Sequence, residues 1–296
     1  MKEFKAFAFE KGVLKPVIRS LRELKSDEVL IQNHAFSLNP VDFKVIKEGK
    51  IAGVDGMGVC VAGGELGKRF AYHSYLGDDG SFAEFSIVKR KALVPLKDEL
   101  SNALAAALPC AGWTALMSLD KLPNLCGRRV LVSGGGMVAK ILISLCLLEG
   151  CEVYALCHPS HHKTLKEWGV KECFEQYFDI DELFAIFDTA ARAQNLLDKL
   201  AYNSHMVAIL GRIEQNHTKP FSTCVSLHEV ALGAIYEKGT QKDFQRLRQN
   251  ALRLYDLALE NKILLPRFEK FDFNELPKAL NELKNGARGV KYLCEF

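Results

Sequence analysis

Residues 129–139 read Arg129-Val130-Leu131-Val132-Ser133-Gly134-Gly135-Gly136-Met137-Val138-Ala139, and an apolar run then leads to Glu152-Val153-Tyr154-Ala155-Leu156-Cys157-His158. A short β-branched stretch enters G-x-G-x-x-A, a helix opens directly after it, and a second strand arrives about 20 residues on, which is the context that a dinucleotide-binding turn requires. Gly134 permits the tight strand-to-helix turn, where positive φ costs a residue with a Cβ free energy. Gly136 lets the backbone approach a pyrophosphate, and Ala139 lets the helix pack close to the strand. Met137 and Val138 open the helix, whose unpaired N–H groups and positive dipole end favour phosphate. A Gly-rich hairpin turn is the competing reading of the bare motif; the flanking strand, helix and second strand favour the dinucleotide.

The same stretch bears on which dinucleotide is bound. Where NAD-binding chains carry an Asp or Glu for the ribose 2′-hydroxyl, this chain has Cys157, followed by His158, Ser160, His161, His162 and Lys163. A carboxylate there would repel a 2′-phosphate, and none is present, so the expected cofactor is NADPH rather than NADH. A chain binding S-adenosylmethionine would also want an acid at that strand end, so Cys157 counts against that use. Ser160 and Lys163, then His162, are the candidates for the 2′-phosphate. A solvated helix face is the plain alternative for Lys163.

The 296 residues are 48% hydrophobic and 25% charged, with a net charge of +3. That composition describes a globular protein with ample core, of one large or two ordinary domains. The mixed charges give no reason to invoke nucleic acid or an anionic membrane surface. The start, Met1-Lys2-Glu3-Phe4-Lys5, lacks the apolar core of a signal peptide, and the apolar stretch 141–148 is too short to span a bilayer. The nine cysteines are scattered without a C-x-x-C pair, which suggests free buried thiols in a reducing cytoplasm and argues against a structural zinc lobe.

Along the chain, residues 1–100 read as β-rich, with strands at 2–9, 28–36 and 81–88 and glycines punctuating 53–67. From Ser101 the period changes. Residues 102–119 read as two helical pieces broken at Pro109. Strand and helix signals then alternate: strands at 129–133, 152–157, 172–174, 183–188, 205–210 and 230–236, helices at 137–149, 160–168, 192–201 and 241–260. Alternation of this kind predicts an α/β fold with a doubly wound parallel sheet. Residues 267–296 return to strand, helix and strand, with Asn274 as the helix N-cap. Strand C-termini line the cofactor crevice in such sheets, which singles out Thr189, Leu210 and Gly211; for Thr189 a helix N-cap is the structural alternative.

With these motifs in hand, the chain resembles the medium-chain dehydrogenase/reductase superfamily, specifically its zinc-independent quinone oxidoreductase branch. The resemblance rests on Ser37-Leu38-Asn39-Pro40-Val41-Asp42-Phe43-Lys44, Gly53-Val54-Asp55-Gly56-Met57-Gly58, Gly80-Ser81-Phe82-Ala83-Glu84-Phe85, Ala107-Leu108-Pro109-Cys110-Ala111-Gly112-Trp113-Thr114-Ala115 and the Gly loop. It implies a GroES-like β-barrel domain over 1–105 and 264–296 and a Rossmann NADP-binding domain over 106–263. It implies a homodimer joined through the edge strand at 230–236. It implies hydride transfer from NADPH to a small electrophile, a quinone or activated enone. Alkenals or enoyl thioesters are one alternative, and a non-catalytic NADPH-binding redox sensor or structural protein is another. The zinc branch has a Cys where Asn39 stands and a His-Glu pair where Val54-Asp55 stands, so no metal is expected. By resemblance, Asn39 and Thr114 are the candidate donors to the developing oxyanion, Asp42 orients the Asn39 loop, Lys163 matches the phosphate-binding lysine, and Tyr177 covers the adenosine phosphate. Many relatives carry Tyr where Phe43 stands, which leaves no protein acid there and makes water the expected proton source. His73 and Tyr75, in a Gly-flanked loop, are weaker candidates, no better than surface residues without a role.

Overall fold

The computed structural model describes residues 3–176, 179–214, 219, 221–286 and 289–296. Seven strands come first: β1 (Glu3–Glu10), β2 (Val13–Ser20), β3 (Glu28–Ser37), β4 (Asp55–Ala62), β5 (Arg69–His73), β6 (Phe85–Lys89) and β7 (Val94–Pro95). Six follow after a long helix: β8 (Arg129–Ser133), β9 (Glu152–Leu156), β10 (Glu172–Phe174), β11 (Leu183–Thr189), β12 (Leu200–Leu210) and β13 (Ser226–Glu229). β14 (Arg267–Lys270) and β15 (Val290–Glu295) close the chain.

Two compact units result, one of residues 1–113, 233–259 and 267–296, the other of residues 114–232 and 260–266. In the second unit, six parallel strands run in the order β10-β9-β8-β11-β12-β13. Counted from β8 this is 3-2-1-4-5-6, the doubly wound order. Val130, Leu131 and Val132 are fully buried at its centre, which is why a continuous apolar run, rather than an alternating one, forms this strand. In the first unit, β14, β15, β3, β4, β5 and β7 form one sheet, with β6 on β3, and β1 pairs antiparallel with β2. A core of Phe7, Phe36, Phe82, Leu276 and Tyr292 lies within this unit.

Several elements differ from the sequence reading. Residues 102–119 form one helix with Pro109 inside it. Proline at 109 has no N–H for the carbonyl of Ala105; the Tyr255 hydroxyl donates to that carbonyl instead, at 2.9 Å. Tyr255 belongs to the helix Gln241–Leu259, and a Cβ on Gly112 would stand 2.5 Å from Leu254 Cδ2. That close packing is why residues 241–259 fall in the first unit, where the sequence reading placed them in the nucleotide-binding domain, and why the boundary lies at 113/114 rather than 105/106. The expected strand at 230–236 is not one: β13 ends at Glu229, and the turns Leu232–Ala234 and Ile235–Lys238 are helical. Short apolar runs do not distinguish helix from strand by periodicity, and here Tyr236 stacks on His73 and Tyr75. The expected helix at 192–201 is a turn at Ala190–Ala193 and a 3-10 segment at Gln194–Lys199, with β12 beginning at Leu200. The expected strand at 81–88 is confined to β6. The last helix, Leu276–Lys284, is preceded by a 3-10 turn whose capping box joins Asp272 and Glu275, so Asp272 takes the role expected of Asn274. All nine cysteines are free; six are buried, Cys110 is half-buried, and Cys126 and Cys224 are exposed.

Candidate active site

The candidate nucleotide-binding residues gather at the C-terminal ends of the second unit's strands. Gly134 has φ +102°, a conformation that favours glycine. A Cβ on Gly135 would lie 2.0 Å from His161 Cδ2, whereas one on Gly136 would meet no heavy atom within 4 Å. Gly136 is the N-cap of the helix Met137–Leu148 in extended geometry. The N–H groups of Met137 and Val138 therefore lie in its first turn, and Ala139 is buried against the strand side. The Ser133 hydroxyl at the end of β8 is buried without a partner. Open space over one glycine, an unsatisfied hydroxyl and a helix N-terminus fit a diphosphate.

After β9 the chain turns sharply. His158 Nδ1 pairs with Ser160 Oγ at 2.9 Å and accepts from the Ser160 N–H at 3.2 Å. His162 Nε2 lies 3.0 Å from the carbonyl of Cys157, so this ring fastens the turn. The Lys163 side chain is 89% exposed and 4.0 Å from Glu167. Cys157 itself is buried. Thr189 and Leu210 are register partners at the ends of β11 and β12, and Gly211 follows at φ +82°. Thr189 precedes a helical turn but does not cap it; its N–H donates to Asp188. Tyr177 lies outside the described residues. Sequence reasoning missed Asp188: its Oδ1 accepts from Arg192, and its Oδ2 is buried without a partner. Its signal was an acid closing an otherwise apolar strand.

In the first unit, a buried polar cluster forms around Asn39. Asn39 Nδ2 donates to Asp55 Oδ2 at 2.8 Å and to the Ser37 carbonyl at 3.5 Å, and Asn39 Oδ1 accepts from Lys291 Nζ at 2.6 Å. The lysine fixes the orientation of the amide. In this arrangement the Asn39 amide hydrogens are directed at Asp55 and the Ser37 carbonyl, within the network. Asp42 Oδ2 accepts the Asn39 N–H at 2.6 Å, a bond within the Asn39 loop. Asp55 Oδ1 accepts the Cys110 N–H at 2.7 Å, Asp55 Oδ2 accepts from Ser37 Oγ at 3.0 Å, and Lys291 Nζ lies 3.7 Å from the same oxygen. Thr114 opens the second unit, and its carbonyl accepts from Ser118.

Burial sets the charges. It pushes Asp42 up to about 8, with the Asp55 charge adding to the rise, so Asp42 is largely protonated at neutral pH. It pushes Asp55 up to about 6 against the pull of Lys291, which leaves a carboxylate. It lowers His73 to about 3, a neutral imidazole, and raises the Cys110 thiol well above its usual range. His73 is buried with Nδ1 unpartnered, and Tyr236 donates its hydroxyl to the His73 carbonyl. Donor atoms of Asp55, His73 and Cys110 lie within 4.8 Å of one another. His73, Cys110 and Lys291 were not singled out as members of this cluster by sequence. The Lys291 ammonium already stands beside its carboxylate, so a divalent ion there would face a resident cation.

The chain is similar to reductases and quinone oxidoreductases. It is 29% identical over 224 residues to a 2-methylene-furan-3-one reductase of Solanum lycopersicum, a match covering 64% of this chain and 57% of that one. It is 32% identical over 176 residues to a chloroplast envelope quinone oxidoreductase homolog of Arabidopsis thaliana, covering 51% and 53%. The chain thus spans about half the length of the curated relatives it matches. The structure of the quinone oxidoreductase from Thermus thermophilus, also solved with NADPH, superposes with a TM-score of 0.80 at 22% identity over 99% of this chain and 100% of that one. That likeness shows that the two chains share a fold. No family model matches the chain.

Proposed function

We propose that the chain is an NADPH-dependent reductase that passes hydride to quinones or activated enones without a metal. The observation that carries this reading is the loop Gly134–Ala139 at the end of the central strand, open above Gly136, beside a second strand that ends at Leu156 and is followed by Cys157 rather than a carboxylate. The names of the relatives, a quinone oxidoreductase and a furanone reductase, agree with it. Bound NADPH supplies the hydride. The chain's own residues hold it: the N–H groups of Met137 and Val138 and the space over Gly136 receive the diphosphate, and Ser160 and Lys163 face the 2′-phosphate. Among the described candidates, Asn39 has its donors committed and Phe43 has no hydroxyl, so the acceptor must tolerate weak polarisation. A quinone or enone does, because the anion it forms is delocalised, and water delivers the proton.

The same observation favours a second reading, an NADPH-binding protein that does not turn over. One assay separates them. Purified protein is mixed with NADPH or NADH and a panel of quinones, enones, enals and simple aldehydes, and the nicotinamide absorbance is followed. The reductase reading expects oxidation of NADPH by quinones or enones. Tight binding with no turnover on any acceptor establishes the second reading instead, and turnover of aldehydes abolished by a chelator overturns the metal-free chemistry.

A further inference from the structure

The first unit carries a groove of about 590 Å³, within the size range of small-molecule sites. Its floor is carbon, formed by Phe70, Leu93 and Phe244, and its rim is cationic, formed by Arg90, Lys91 and Arg248. It shares no residue with the Asn39 cluster or the glycine loop.

The cations lack carboxylate partners. Arg248 Nε is buried with no acceptor, and its Nη2 reaches the Arg90 carbonyl at a long 3.4 Å. Lys91 Nζ lies 4.4 Å from the Phe244 ring centroid. Arg90 Nη2 donates to two carbonyls, of Gly63 at 2.6 Å and Ser26 at 3.4 Å. Among the described residues, none of the three pairs with a carboxylate. Two acids line the groove, Asp27, paired with Lys89 at 3.0 Å, and Glu65, paired with Lys68 and also attracted at longer range by Arg248 and Arg90. A buried guanidinium N–H without an acceptor is costly, and the Nε–Nη edge of an arginine matches two oxygens of one carboxylate or phosphate. The groove therefore offers an oxyanion fork beside two aromatic rings once Arg248 turns its enclosed Nε outward and releases the Arg90 carbonyl.

We propose that this groove is a second ligand site, for a small organic oxyanion in which a carboxylate or phosphate sits on a compact apolar body. The oxyanion takes the Nε–Nη edge of Arg248, Lys91 adds charge at the rim, and the body lies against Phe244 and Leu93. No bond is made or broken there.

Calorimetry with octanoate, phenyl phosphate and inorganic phosphate on the intact chain tests this. Saturable one-to-one binding of octanoate or phenyl phosphate is expected, and which of the two binds identifies the head group. Arg248→Met should weaken it about tenfold or more, the exposed Lys91→Gln should weaken it less, and Lys163→Ala, in the other unit, should leave it unchanged. Lys91→Gln keeps the test decisive if Arg248→Met unfolds. Absence of saturable binding, equal affinity for wild type and both groove variants, or inorganic phosphate binding as tightly as phenyl phosphate overturns the proposal.

Discussion

Gly136→Val separates a role in ligand approach from a role in folding. At φ −76° and ψ −177° the residue is in extended backbone that valine adopts freely, and its Cβ would meet no atom within 4 Å. Two small effects on the free protein oppose each other. Replacing glycine at an N-cap by an apolar residue costs roughly 0.5–1 kcal/mol, and stiffening the unfolded chain returns about 0.4–1 kcal/mol. The free variant should thus match wild-type stability to within about 0.5 kcal/mol. With ligand the two diverge. NADPH at a hundredfold excess over its Kd stabilises the wild type by about 2.7 kcal/mol, and a hundredfold loss of affinity leaves about 0.4 kcal/mol at the same concentration. Gly135→Ala is the contrast: its methyl group would meet the His161 ring at 2.0 Å, so that partly exposed ring must turn aside before any ligand is added, at about 1 kcal/mol or less. Thermal unfolding with and without NADPH reads both. If Gly136→Val retains the full ligand-induced shift, the diphosphate does not pass over that residue and the proposed cofactor site is wrong.

The exposed Lys163 should matter to NADPH alone: Lys163→Ala is expected to weaken NADPH about tenfold, about 1.4 kcal/mol, and to leave NADH unchanged; equal losses in fluorescence titrations would remove its phosphate role. Lys291→Met leaves the buried Asp55 charge uncompensated and should cost about 3–5 kcal/mol in urea unfolding; a loss under about 1 kcal/mol would mean that the pair is not a buried ion pair in solution. Burial raises Asp42 to about 8, so the folded state keeps a proton that the unfolded chain releases above about pH 4, and stability falls as pH rises from about 4 to about 8. Asp42→Asn removes that contribution. Its melting temperature should fall less than that of the wild type between about pH 5 and about pH 8, and parallel curves would show that Asp42 does not titrate there.

The glycine turn was legible because all its determinants lie within one short stretch, and so was the alternation that builds the parallel sheet. The residues at 230–236 were not, because a short apolar run carries no length cue and Tyr236 is placed by rings at His73, Tyr75 and Phe244 that lie elsewhere in the chain. Pro109 reads locally as a break; it is tolerated because a hydroxyl 150 positions away takes over a carbonyl. The polar cluster fails the same way. Asn39 and Lys291 are 252 positions apart, and a lysine in a terminal strand gives no sign in sequence of being buried. Motif matching found Asn39 and Asp42, but what Asn39 bonds to is a property of the assembled sheet.

That assembled cluster bears on the chemistry in a way its parts do not. At neutral pH the carboxylate of Asp55 is balanced by the Lys291 ammonium, while Asp42 is largely protonated, His73 is neutral and Cys110 is a thiol. The group is close to neutral and its hydrogen bonds run inward. A divalent ion would add two charges, would require the Cys110 thiol to lose its proton, and would sit beside an ammonium that already donates to Asn39 and the Leu38 carbonyl. The lysine is directed at Asn39 and the Leu38 carbonyl, beside the Asp55 carboxylate. A site organised in this way stabilises its own architecture more than it polarises a carbonyl. Under the proposed reductase reading, that is the physical reason to begin the acceptor panel with quinones and enones, whose electron deficiency is intrinsic.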